Sequence, residues 1–238
     1  MSIPPGLWRA DHLDCMIEDY DWRFAREQSA LINAHWAKEL ARKPRLFNGK
    51  VLLCHTARLV EETGKTIFQA AFFATDYKSF LAHKDYAERT DPVTNCFAMA
   101  ALRGSDGAYL LGEMAAHTAN AGQIYFPAGT PDFDDVTQSR VDLQGSIGRE
   151  LFEETGLAMS EVSAEQGFVL VRQDHQIACL QILTLPHPAP LICAQINEWL
   201  AADSSDELCR MHVVQGRSDI RPESMPAFIC TFLEAQLG

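Results

Sequence analysis

The chain has 238 residues, a formal net charge of −12, 47% apolar residues and 22% charged ones. That length and mixture suit a globular protein with a sizeable core and exclude a disordered or fibrous chain. The acidic balance, with no dense basic patch, argues against a long polyanion such as duplex DNA as partner. Cys15, Cys54, Cys96, Cys179, Cys193, Cys209 and Cys230 are scattered, odd in number and contain no Cys-x-x-Cys pair, so reduced thiols are expected rather than a zinc site or a disulfide framework. The opening Met1-Ser2-Ile3-Pro4-Pro5 lacks a basic segment before an apolar core, and no apolar run approaches membrane-spanning length. A cytoplasmic protein with no membrane partner is the expectation.

After an irregular start, residues 21–42 place Phe24, Leu31, Ile32 and Trp36 at helical intervals and predict a helix ended by Lys43-Pro44. The basic stretch 38–45 reads as a solvated helix face. Segments 50–60 and 66–74 are apolar, contain β-branched and aromatic residues, and flank Glu61-Glu62-Thr63-Gly64-Lys65, which predicts a hairpin. A short helix is expected over 77–82. Segments 96–103 and 108–114 around Gly104-Ser105-Asp106-Gly107 predict a second hairpin, and 122–127 a further strand. An aspartate-rich loop leads to a helix over 142–155. Paired strands are predicted over 167–171 and 177–185, then a helix over 191–202, a short strand over 211–214 and a final helix over 223–237. This mixture, without regular βαβ alternation or internal repeats, indicates an α/β sandwich or α+β fold.

The chemistry is concentrated in Arg149-Glu150-Leu151-Phe152-Glu153-Glu154-Thr155-Gly156-Leu157. Three carboxylates at i, i+3 and i+4 stand on one side of a helix, close enough to share a hard divalent cation. Gly156 suits the left-handed position that ends a helix, with Leu157 expected to pack back on Phe152. A glutamate cluster on a helix is ordinarily a solvated face, but Leu143, Ile147 and Leu151 form one stripe, and Glu150 and Glu154 fall beside or within it. Carboxylates so near a buried face repel one another, are poorly hydrated, and meet the negative end of the helix dipole. A bound cation relieves all three penalties.

Residues 149–157 match, at every defined position, the core of the Nudix box, so the chain resembles the Nudix hydrolases. Tyr125-Phe126-Pro127-Ala128-Gly129 resembles the strand and glycine that open that box. The resemblance implies an α/β/α sandwich with a mixed sheet, formed by residues 93–238, with residues 1–92 as an N-terminal α+β extension. It implies hydrolysis of a nucleoside diphosphate linked to another moiety. Glu150, Glu153, Glu154 and the Gly129 carbonyl would ligate Mg²⁺, or Mn²⁺, and Arg149 would hold a glutamate in place. The partner is then a small nucleoside diphosphate derivative, not nucleic acid. A homodimer is compatible with the extension by analogy of fold alone.

Two departures stand out. Gly129 lies six residues farther upstream than the pattern sets, so 130–138 contains an inserted loop, and Val141 occupies the first glutamate position. The neighbouring Asp142 either replaces that glutamate or, as we favour, caps the helix. The general base is not legible; Glu165, Asp174 and His175 are candidates from loops after the box. Arg45-Leu46-Phe47-Asn48-Gly49 and Thr75-Asp76-Tyr77-Lys78-Ser79-Phe80-Leu81 resemble the extension of Nudix enzymes acting on UDP-sugars. ADP-ribose, NADH or another dinucleotide is the alternative substrate. A non-catalytic nucleotide-binding module is the alternative in a different class.

Overall fold

The computed structural model describes residues 3–88, 90–202 and 207–238; Met1 and Ser2, which open the segment read above for a leader, lie outside the described residues. The chain begins with β1 (Gly6–Ala10), β2 (His12–Ile17), α1 (Arg23–Glu27), α2 (Ser29–Arg42), β3 (Lys50–Glu62), β4 (Lys65–Asp76), α3 (Tyr77–Tyr86), β5 (Asn95–Arg103), β6 (Tyr109–Met114) and β7 (Ile124–Tyr125). A 3-10 turn at Phe133–Asp135 precedes β8 (Val136–Thr137), β9 (Arg140–Val141) and α4 (Leu143–Thr155). Then come β10 (Ser163–Ala164), β11 (Phe168–Gln173), β12 (Gln176–Thr184), α5 (Ala189–Ala201), β13 (Leu208–Val214) and α6 (Ala227–Gln236).

Two mixed sheets result, in keeping with the α/β class expected. The larger runs β1-β11-β12-β5-β6-β13, with β10 on β12 and β7 on β6; the smaller runs β3-β4-β2-β9-β8. At the centre of the larger sheet, β5 and β12 pair in parallel from Asn95↔Gln176 to Arg103↔Thr184. Both read as nearly continuous apolar runs because both faces are covered. Successive side chains point to opposite faces: Phe97 meets Phe228 of α6 at a ring distance of 5.7 Å, whereas Cys96 faces Cys54 of the smaller sheet. One apolar core therefore runs between the sheets and continues under α6.

The β3–β4 hairpin closes on Thr63 (φ 51°) and Gly64 (φ 78°), two left-handed residues that match the twist of the strands. The proline-containing start is not irregular. β1 pairs antiparallel with β11, and β2 pairs with both β4 and β9, so strand pairing crosses residue 92 in both sheets. The helix predicted over 21–42 is broken at Gln28, and of its apolar residues only Ile32 is buried within α2. The last helix begins at Ala227, after Pro226 supplies the extended entry. All seven cysteines are free thiols, and no helix among the described residues is long and apolar enough to cross a membrane.

α4 carries the signature residues and is fixed at both ends. At its start Asp142 Oδ1 accepts the Gly145 N–H at 2.9 Å, an N-cap. At its end Gly156 takes φ 74°, and its N–H bonds to the Phe152 carbonyl at 2.8 Å. Phe152 is 58% exposed, and Leu157 packs on the core. Trp199 of α5 covers Gly156, near enough that a Cβ there would lie 2.8 Å from its ring. Replacing Asp142 by alanine is expected to cost about 1 kcal/mol in urea unfolding, the usual value of a cap, with cation affinity unchanged. A loss of affinity equal to that of Glu154→Gln would instead make Asp142 a ligand.

Candidate functional site

Along α4, Leu143, Ile147 and Leu151 are fully buried, and Glu150 and Glu154 share their side of the helix at 7% and 2% exposure. The helix turn thus carries both carboxylates under the segment 126–130. A Cβ on Gly129 would collide with Glu150 Oε1, so only glycine lets the main chain lie against that carboxylate. Glu154 Oε1 accepts the Ala128 N–H at 3.4 Å; Glu154 Oε2 is buried with no hydrogen-bond partner. Glu153 stands on the outer side, its side chain 57% exposed, 3.8 Å from Arg149 Nη1.

Arg149 makes the close contacts. Its Nη1 donates to Glu150 Oε1 at 2.9 Å and its Nη2 to Asp135 Oδ1 at 2.7 Å. Asp135, on the 3-10 turn within the inserted loop, has a side chain only 2% exposed. Its Oδ2 accepts the Asp132 N–H at 3.1 Å, and its carbonyl accepts the Asp142 N–H at 2.8 Å. The sequence reading placed the first acidic position by its distance from Arg149 and so missed this residue, which follows Gly129 with five residues between.

Glu150, Glu153 and Gly129 border a groove of about 820 Å³ that also takes in Phe47, Phe133 and Glu207, with Glu154 buried behind it. Glu207 arrives from just before β13, where its carbonyl accepts the Ala115 N–H at 2.8 Å. It too escaped the sequence reading, since nothing in its neighbours marks it. Adjoining the groove, and sharing Tyr77, Asn120, Tyr125 and Gly129 with it, is a pocket of about 600 Å³ walled by Phe80, Phe97 and Phe228. Asp174 and His175 line this pocket rather than the carboxylate groove, and His175 Nδ1 donates to the Val93 carbonyl at 3.2 Å, leaving Nε2 as the acceptor. Glu165 pairs with Arg103 instead and lines neither space.

Burial pushes the Glu150 carboxyl up to about 7; Arg149 opposes the shift, and the charges of Glu207, Glu153 and Asp135 add to it. Burial also raises Glu154 well above the usual carboxylate range, with Glu207 and Glu150 next in effect. Hard oxygen donors, an unpartnered buried Glu154 oxygen and a glycine that admits the main chain suit a divalent cation. Among the described residues, no three His, Cys, Asp or Glu side chains already meet as a ligand set. The ion pair from Arg149 to Glu150 and the outward placement of Glu153 are consistent with that.

No family model matches the sequence, and neither does any curated protein. Among solved structures, the chain is similar to a MutT protein from Methanosarcina mazei Go1 at 20% identity, over 60% of this chain and 94% of that one, with a TM-score of 0.39. It is also similar to RenU, a Nudix hydrolase from M. smegmatis, at 11% identity over 59% and 80% of the two chains, TM-score 0.38. A Nudix hydrolase from Nitrosomonas europaea aligns at 17% identity over 51% and 72%, TM-score 0.33. At TM-scores below 0.5 these likenesses describe those molecules, and the assignment of this chain rests on its own residues.

The raised Glu150 carboxyl has a consequence for stability. The folded chain keeps that proton up to about pH 7, whereas the unfolded chain releases it in the ordinary range near 4.5. The contribution is therefore fully present in acid and is lost as pH rises through this window. Relative to Glu150→Gln, the cation-free protein is expected to lose about 3 kcal/mol in urea unfolding between those limits, and added Mg²⁺ should reduce the loss. A difference that grows with pH would have the wrong sign for a buried carboxyl.

Proposed function

We propose that this chain is a Nudix-type hydrolase that splits the diphosphate of a nucleoside diphosphate derivative by attack of water on phosphorus. The buried, unpartnered Glu154 oxygen, one helical turn from the Glu150 carboxylate that lines the groove together with Gly129, carries this reading. A structural helix face has no reason to bury two carboxylates one turn apart, each costly to desolvate, unless a cation or proton accompanies them. The box pattern at 149–157 points the same way.

In this reading Glu150, Glu154, Glu153 and the Gly129 carbonyl would hold Mg²⁺ or Mn²⁺. Bound there, the cation would neutralise diphosphate oxygens and make water a better nucleophile. Arg149 steadies Glu150 through a charge-assisted hydrogen bond. Glu207, a groove carboxylate from outside the helix and outside the loop before it, is the candidate to take a proton from the attacking water. The adjoining pocket supplies Phe97, Phe228 and Tyr125 to stack on a planar base, and amide groups such as Asn95 and Gln176 to recognise its edge.

A UDP-sugar is the substrate we infer. Supporting it are the 45–49 and 75–81 motifs, which converge on Tyr77: its N–H donates to the Gly49 carbonyl at 2.9 Å, and Asn48 Oδ1 accepts the next N–H, of Lys78, at 2.8 Å. Tyr77 in turn borders both groove and pocket. The division into a 1–92 extension and a 93–238 hydrolase unit, and a cytoplasmic location, belong to the same proposal.

Glu153→Gln and Glu154→Gln should each lower kcat by several orders of magnitude in a folded protein. UDP-glucose with Mg²⁺ at mildly alkaline pH should give UMP and glucose 1-phosphate. Turnover near wild type in the variants would defeat the cation-site reading. A markedly higher kcat/KM for ADP-ribose, NADH or a dinucleoside polyphosphate would defeat the UDP-sugar assignment and leave hydrolysis standing.

A further inference from the structure

Two aromatic rings stand exposed in the wall of the carboxylate groove, and the chemistry above uses neither. Phe47, in the segment between α2 and β3, is 82% exposed, and Phe133, on the 3-10 turn, is 53% exposed. Buried rings would stabilise the fold, so rings left in water at a groove lined by polar groups mark a surface that a ligand covers. Both are held in position. A Cβ on Gly49 would lie 3.3 Å from the Phe47 ring, so the glycine lets that ring rest close to the main chain whose carbonyl accepts the Tyr77 N–H. Phe133 lies between Pro131 and Asp135, both buried, and Asp132 Oδ1 accepts the Asp134 N–H at 2.7 Å, which fixes the turn with this ring outward. The bond from the Leu52 N–H to the Pro131 carbonyl, 2.7 Å, ties together the two segments that carry the rings.

We propose that Phe47 and Phe133 form the subsite for the sugar half of the substrate, their ring faces taking the C–H face of a hexose on the far side of the diphosphate from the nucleoside pocket. This rests on the hydrolase reading above and gives it a second specificity element. The pocket walled by Phe80, Phe97 and Phe228 offers flat apolar surface and amide groups, as a planar base requires. The groove wall differs, because alongside its two rings it carries the charged side chains of Asp134 and Lys50, both exposed. A hexose has an apolar C–H face and a rim of hydroxyls. The negative face of a phenyl ring attracts the C–H hydrogens, while a carboxylate and an ammonium at the edge accept from and donate to the hydroxyls. The contact engages a part of the substrate that does not react, so it acts on affinity and selection.

The two products separate the subsites and are not turned over. Saturation-transfer-difference NMR and titration of the full chain with Mg²⁺ would use glucose 1-phosphate as probe of the sugar side and UMP as probe of the nucleoside side. In the wild type, irradiation of the aromatic protons should transfer to the ring C–H protons of glucose 1-phosphate. Phe47→Ala/Phe133→Ala should lose that transfer and bind glucose 1-phosphate about tenfold more weakly, with UMP affinity unchanged. Phe47→Tyr/Phe133→Tyr keeps both ring faces and should stay near wild type. Because both rings are exposed, the alanine variant should unfold at the wild-type temperature. In kinetics, KM for UDP-glucose should rise while kcat changes little. Wild-type affinity for glucose 1-phosphate in the alanine variant, no binding of it to the wild type, or an equal weakening of UMP would overturn the proposal. So would a wild-type dimer in sedimentation that the alanine variant dissociates, since the rings would then be covered by a second copy. Absence of diphosphate hydrolysis by the wild type would instead remove the hydrolase reading, while the NMR comparison still decides whether the rings bind a sugar phosphate.

Discussion

Glu150 and Glu154 lie one helical turn apart on the side of α4 that also buries Ile147 and Leu151, and both carboxylates are pressed beneath the 126–130 main chain. Two like charges in so little water repel each other and lose hydration together. The protein answers with few compensating groups: one arginine, one long backbone hydrogen bond, and a glycine where any side chain would collide. Most of the local architecture follows from keeping this pair in place. The cap at Asp142, the left-handed Gly156 and the Trp199 ring over it set the height and rotation of the helix.

The supports come from distant parts of the chain. β9 delivers α4 from the smaller sheet, where β2 pairs with it, while α4 also packs on β5 of the larger one. The helix is therefore held between layers. The Pro131 carbonyl accepts the Leu52 N–H at 2.7 Å, which anchors the inserted loop to β3 before it turns back with Asp135. A groove built this way has walls from both sheets and gains rigidity from each.

The N-terminal segments contribute more than cover. Lys43 donates to the Thr118 and Ala119 carbonyls, and Lys84 to Asn120 Oδ1 at 3.0 Å, so two cations hold the stretch that borders groove and pocket. Those lysines add positive charge to that of Arg45, Lys50 and Arg149 in the groove wall, which matters for a substrate with a polyanionic centre. Tyr77, at the start of α3, stands where the two spaces join.

Local pattern alone determined much of this. The stripe of Leu143, Ile147 and Leu151 predicted which side of α4 is buried, and hence that Glu150 and Glu154 would be buried beside it. The cap and the glycine stop were legible for the same reason: each depends on contacts within one turn of backbone. The β3–β4 and β5–β6 hairpins follow from apolar runs around turn residues. What the chain could not declare was anything set by residues far apart in sequence. β1 and β2 were read as irregular because short strands with partners in β11, β4 and β9 carry little periodicity of their own. Glu207 is an ordinary acidic residue until the approach to β13 brings it to the groove. Neighbours in sequence decide helix faces and turns; burial and electrostatic partnership are decided by which strands meet, and that is a property of the assembled sheets.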